Sequence, residues 1–75
     1  MIHLRAFARY RERLGFASLE LPLPQPPTLA ALLADPRLAE LPAEALLAVN
    51  QAFAERSAEL QDGDEVALMP PVSGG

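Results

Sequence analysis

The chain has 75 residues, no cysteine and a formal charge of −4, which allows one compact unit and excludes disulfides, thiolate metal sites and a cysteine nucleophile. A domain this short buries only roughly 60% of the surface its unfolded form exposes, too little for most self-contained enzymes, although 51% of its residues are apolar and suffice for one layer of helix on sheet. The charge is uneven, four Arg against two Glu over residues 1–27 and Arg37 and Arg56 against eight acids over residues 28–75, so the chain lacks the basic field that nucleic acid requires.

Residues 1–15 contain Arg5, Arg9, Arg11, Glu12 and Arg13 and so lack the apolar stretch of a secretory signal. Within them, Ile2, Leu4 and Ala6 alternate with His3, Arg5 and Phe7, the period of a strand with one face on a core. Gly15 closes an Arg-rich connector. Ala17, Leu19 and Leu21 alternate with Ser18 and Glu20, and the short spacing from the first run favours an antiparallel hairpin. Pro22, Pro24, Pro26 and Pro27 cannot join a central ladder, so an extended crossing segment follows. The longest uncharged run, residues 21–34, is too short to span a bilayer, and a soluble cytoplasmic protein is expected.

Thr28 is placed to N-cap a helix in which Leu29, Leu32 and Leu33 share one apolar face. Pro36 ends that helix or begins another turn, and residues 36–45 remain ambiguous because Pro42 interrupts any long helix. Leu46–Val49 reads as a strand, Asn50–Gln51 as a turn, and Ala52–Ala54 as a short strand. Asp62–Gly63 signals a turn, after which Val66 and Leu68 alternate with Glu65, Ala67 and Met69 until Pro70–Pro71 stops the strand. The expected architecture is α+β, a small mixed sheet covered by one main helix. It divides into a body, residues 1–69, and a flexible extended tail, residues 70–75.

The tail is the informative feature. Pro70-Pro71-Val72-Ser73-Gly74-Gly75 leaves a rigid sheet and ends in two residues without side chains, so its last atoms fit a channel too narrow for a Cβ. The bland alternative is a frayed terminus. A terminal carboxyl, with a pKa near ~3.5, is ionised and a poor electrophile at neutral pH. Carrying a group requires activation, for which ATP-dependent adenylation by another protein is the evident route. The chain has no phosphate-binding glycine loop of its own.

Other candidates read as structural. His3 is the single imidazole, with neither Cys nor a second His to complete a metal site. Asp62, Asp64 and Glu65 lack calcium-loop spacing and read as a solvated turn. Arg9, Arg11 and Arg13 read as a solvated connector that also orients an encounter with an acidic partner. Phe7 and Met69 fall on outward registers where polar residues are usual, and with Phe53 they form a candidate docking patch; the alternative is core placement with the register slipped by one. Ordering a five- to six-residue tail costs about 1–2 kcal/mol per residue, more than its apolar atoms return, so a threaded tail needs a docked body.

Val49-Asn50-Gln51, Leu60-Gln61-Asp62-Gly63-Asp64-Glu65-Val66-Ala67 and Pro70-Pro71-Val72-Ser73-Gly74-Gly75, in that order, together with Phe7-Ala8, Arg11-Glu12 and Gly15, resemble the molybdopterin synthase small subunit, the MoaD family of ubiquitin-like sulfur carriers. The resemblance runs the length of the chain, with little support from residues 22–45. It implies a β-grasp fold and sulfur donation in molybdenum cofactor biosynthesis. Gly75 would be adenylated by a MoeB-like enzyme that consumes ATP, and converted to a thiocarboxylate with sulfur from a donor such as a cysteine desulfurase system. The tail would then be threaded into a MoaE-like large subunit to deliver sulfur to cyclic pyranopterin monophosphate. The family's apolar partner-binding positions carry over to Phe7, Phe53 and Met69, and its assembly is a heterotetramer with two large subunits. No bound cofactor, metal, membrane or nucleic acid is implied. A thiamine-pathway or tRNA-thiolation carrier, a ubiquitin-like modifier and a plain interaction module remain as alternatives.

Overall fold

The alternation of the first residues becomes strand β1 (Ile2–Ala6), with Ile2, Leu4 and Ala6 buried and His3 and Arg5 exposed. The computed structural model describes residues 1–71. Four further strands, β2 (Ser18–Leu21), β3 (Leu46–Val49), β4 (Ala52–Phe53) and β5 (Glu65–Met69), complete a sheet in the order β2-β1-β5-β3-β4. β1 and β5 run parallel at its centre; the other pairs are antiparallel. This is the mixed sheet of the expected α+β class.

The antiparallel pairing of the first two strands is as expected, with Ile2 opposite Leu21 and Leu4 opposite Leu19. The Arg-rich connector between them, closed by Gly15 as expected, is helical. Residues 9–14 form helix α1 (Arg9–Leu14), closed by Gly15 at φ 84°, whose N–H returns to the Arg11 carbonyl. The four charged side chains hide the signal, because only Tyr10 and Leu14, one turn apart, face inward. Tyr10 is buried with Ala6 and Ala45, and its hydroxyl meets no hydrogen-bond partner among the described residues.

The helix expected after Thr28 is α2 (Leu29–Leu33), a single short turn and a half. An isolated helix of that length is unstable in water, so its existence rests on what satisfies its ends. The Leu29 and Ala30 N–H groups donate to the carbonyls of Ala58 and Arg56 at 2.9 and 2.8 Å, and Ala31 N–H donates to Thr28 Oγ1 at 3.2 Å. Its first three orphan donors are thereby all paired. Leu29 and Leu32 enter the core, whereas Leu33 packs on it half-buried.

The ambiguous residues from Pro36 form one 3₁₀ turn, Pro36–Leu38, which is capped by Asp35 and buries Leu38, and continue through irregular backbone. The core joins Ile2, Leu4, Leu21, Leu47, Val66 and Leu68 of the sheet to Leu29, Leu32, Leu38 and Leu60. Register explains the alignment: Leu4 lies opposite Val66, Ala6 opposite Leu68, and Leu47 opposite Leu68.

Thr28→Ala is expected to lower the unfolding free energy by about 1 kcal/mol, measured by urea denaturation, because it orphans the Ala31 N–H. A second expectation concerns acid. The Arg37 guanidinium and backbone N–H, both bonded to the Asp35 carboxylate, hold its pKa below the ordinary carboxylate range. The folded chain therefore ionises Asp35 more readily than the unfolded chain does, and its contribution is present above the ordinary range and lost as pH falls through the lowered value. Asp35→Asn should lower the neutral plateau by what the ionised carboxylate contributes there, leave the stability at pH values below the lowered pKa nearly unchanged, and so flatten the acid limb of a stability-versus-pH curve.

Candidate functional site

The sheet face opposite the core carries the candidate site. Its central row, read across four strands by register, is Arg5, Ala67, Ala48 and Phe53. Two alanines in the middle of a row flanked by larger side chains leave a depression. The result is a groove of about 290 Å³ floored by Ala48 and Ala67 and walled by Arg5 and Phe7 on one side, Gln51 and Phe53 on the other, and Glu65 and Met69 along β5.

The structure thus brings Phe7, Phe53 and Met69 together, as the outward registers suggested. Phe7 is 39% exposed and Phe53 78%, which excludes core placement for both, and Met69 is half-buried. Phe53 also walls a second, adjoining groove of about 390 Å³ with Leu46 and Arg56. Pro70 and Pro71 continue from Met69, both half-buried, so the chain leaves the sheet at the groove's Met69 end. Val72, Ser73, Gly74 and Gly75 lie outside the described residues.

Backbone geometry fixes the two phenylalanines. Phe7 N–H donates to Leu68 O at 3.1 Å, prolonging the β1–β5 ladder, and Phe7 O accepts from Tyr10 N–H at 3.1 Å. Between them Ala8 sits at φ 53°, ψ −134°, the first central position of a type II′ turn that usually takes glycine. Phe53 follows the two-residue hairpin Asn50–Gln51, with φ of 51° and 71°, as a type I′ turn demands. Asn50 clamps that hairpin to β5: its Oδ1 accepts from Glu65 N–H at 3.0 Å and its Nδ2 donates to Asp64 Oδ1 at 2.9 Å.

The polar walls are modest. Arg5 reaches Glu65 at 3.8 Å and stands over the Phe7 ring at 5.4 Å, so the groove's two charges oppose each other within one pair. The acidic turn serves structure: Asp64 accepts from Gln61 N–H at 2.8 Å, and the Asp62 carboxylate pairs with the Met1 ammonium, which lowers its pKa. His3 lies exposed with Nδ1 3.6 Å from Glu20. Arg9, Arg11 and Arg13 are exposed on α1. Among the described residues no helix is long and apolar enough to cross a membrane.

Sequence reasoning missed Ala48, Ala67 and Gln51 as groove residues. The alanines did carry a signal, small side chains at outward positions, but only the cross-strand register shows that they adjoin.

Comparison with known proteins agrees with this geometry. The ThiS family model matches residues 4–75. A molybdopterin synthase sulfur carrier subunit from Arabidopsis thaliana is 37% identical over 79 aligned positions, which cover 99% of this chain and 82% of that protein. Among solved structures, a putative molybdopterin converting factor subunit 1 from Pyrococcus furiosus superposes with a TM-score of 0.79 at 26% identity, covering 95% of this chain and 97% of that one. SAMP1 from Haloferax volcanii superposes with a TM-score of 0.71, also at 26% identity, covering 99% and 98%. The expected ubiquitin-like β-grasp fold is therefore the fold observed.

Because Phe53 contributes to the groove and little to the core, Phe53→Ala should change the unfolding free energy by less than about 0.5 kcal/mol. Leu68→Ala, two strands away on the buried face, should cost about 2–5 kcal/mol. Paired urea titrations of the two variants read the difference.

Proposed function

The chain belongs to the ThiS family, and from that membership we propose that it is the sulfur carrier subunit of a molybdopterin synthase. The observation that carries this reading is the alignment with a named sulfur carrier subunit over 99% of the chain at 37% identity. The groove supports it, since an apolar surface beside the point where the tail departs would hold the body while the terminus enters a partner.

In this reading the Gly75 carboxylate attacks the α-phosphate of ATP on an adenylating, MoeB-like enzyme, releasing pyrophosphate and forming an acyl adenylate. The terminal sulfur of a persulfide on a donor such as a cysteine desulfurase system displaces AMP to give an acyl disulfide, and a thiol that ends as a disulfide with the donor sulfur releases the thiocarboxylate. The body then docks through Phe7, Phe53 and Met69 on a MoaE-like large subunit. Val72, Ser73 and Gly74 pass through its channel, directed by Pro70 and Pro71, and the sulfur is delivered to cyclic pyranopterin monophosphate. The carrier contributes position and a transferable sulfur; acid and base groups come from the partner. The setting is the cytoplasm, and the complex is a heterotetramer.

A second reading, attachment of Gly75 to other proteins as a modifier, is favoured by the likeness to a structure named small archaeal modifier protein 1 from H. volcanii. One experiment separates them. Incubation with an adenylating enzyme, ATP and a sulfur donor should add to intact Gly75 the mass difference of sulfur for oxygen, and adding the large subunit and the cyclic pterin should discharge it. High-mass adducts in cell extract without discharge to the pterin would favour conjugation. Deleting Gly75 should abolish molybdopterin formation while thermal unfolding stays unchanged; a deletion variant that still supported synthesis would overturn the carrier role.

A further inference from the structure

The described residues contain three non-glycine positions with positive φ, Ala8, Asn50 and Gln51, and all three border the groove: Ala8 follows Phe7, and Asn50–Gln51 leads into Phe53. Asn50 has a reason within the chain, since its side chain clamps the hairpin to β5 at two points. Gln51 has none. At φ 71° it occupies the second central position of the turn, where glycine is free of the steric penalty that a Cβ incurs. Its side chain is exposed and makes no hydrogen bond among the described residues, yet it lines the groove.

The other polar groups of the groove are engaged, because Arg5 and Glu65 lie 3.8 Å apart and oppose each other's charge. Gln51 is left as a neutral group with a free acceptor and two free donors beside an alanine floor. A strained residue kept where glycine fits better indicates that its side chain has a use outside the folded body.

We infer that the Gln51 carboxamide is a specificity determinant of the groove, pairing with a main-chain peptide group of the protein that docks there, the synthase large subunit; this rests on the sulfur-carrier reading above. A carboxamide offers N–H and C=O side by side, the complement of a peptide unit, and is neutral, so its burial carries no charge-desolvation penalty. An apolar groove covering a partner backbone without such a group would leave a peptide N–H or C=O unpaired. The occupant is assigned by position, since the groove ends at Met69, where the chain continues to Pro70 and the tail, and the protein that receives the tail must lie alongside it.

The test compares wild type, Gln51→Met and Gln51→Gly as full-length chains, measuring affinity for the large subunit of the same organism by calorimetry and Tm by thermal melting. Gln51→Met keeps length and apolar contact but loses the hydrogen bonds, and should weaken binding at least about 10-fold. Gln51→Gly should weaken it as much while holding or raising Tm, because the positive φ is relieved. Binding of both variants within twofold of wild type would overturn the inference, as would a lower Tm for Gln51→Gly, which would assign the side chain to the body's own stability. If wild type itself neither bound the large subunit nor accepted sulfur at Gly75, the carrier reading would fall and this inference with it. Tight wild-type binding alongside indifferent variants would remove this inference alone.

Discussion

Everything in this fold depends on the parallel pairing of the first and last strands. Parallel neighbours cannot be joined by a tight turn, so the long stretch of chain between β1 and β5 adds β2 beside β1, packs α2 on the core face, and adds β3 and β4 on the far side of β5. The pairing of His3 with Glu65, Leu4 with Val66 and Ala6 with Leu68 settles which side chains meet in the core. By the same register it sets Phe7 beside Met69, although the whole domain separates them in sequence. The chain therefore leaves the sheet at its centre, next to an exposed phenylalanine, and not at a remote edge.

The two faces of that sheet obey opposite rules. Toward the helices, large aliphatic side chains interdigitate, and Ile2, Leu4, Val66 and Leu68 lose essentially all contact with solvent. Toward solvent, the middle of the row shrinks to Ala67 and Ala48 while Phe7, Phe53 and Met69 rise around it. An open apolar hollow gives the isolated domain nothing, since its walls stay wet, and the turns that hold the walls are in costly backbone regions. Strain and exposed apolar surface gathered at one place are what a surface that is completed by another molecule looks like.

Much of this was legible in the chain. Period-2 alternation located β1, β2 and β5 and assigned their faces correctly, because each strand has one face buried and a register slip would expose the core. Thr28 and the Leu29, Leu32, Leu33 spacing located α2. Helix α1 was not legible: its inward stripe is only Tyr10 and Leu14, too few to show periodicity among four charged neighbours. Nor could the segment after Pro36 be read, since it is held by burial of Leu38 and not by any repeating pattern. The apolar rim residues of the site were visible one strand at a time, but the groove exists only across four strands, which no local window contains.

The body's own polar groups are engaged in ways that bear on where chemistry can occur. The first N–H groups of α2 are taken by Ala58, Arg56 and Thr28, Asp64 is held by Asn50 and Gln61, and Arg5 stands against Glu65. A general acid or base needs a group whose protonation is tuned by burial or a neighbouring charge and which reaches a bound substrate. In the groove the titratable side chains are Arg5 and Glu65, which face each other across an open surface. The groove offers an apolar, charge-balanced surface beside the strand from which the chain departs, and the sheet gives Pro70 and Pro71 a rigid base to start from.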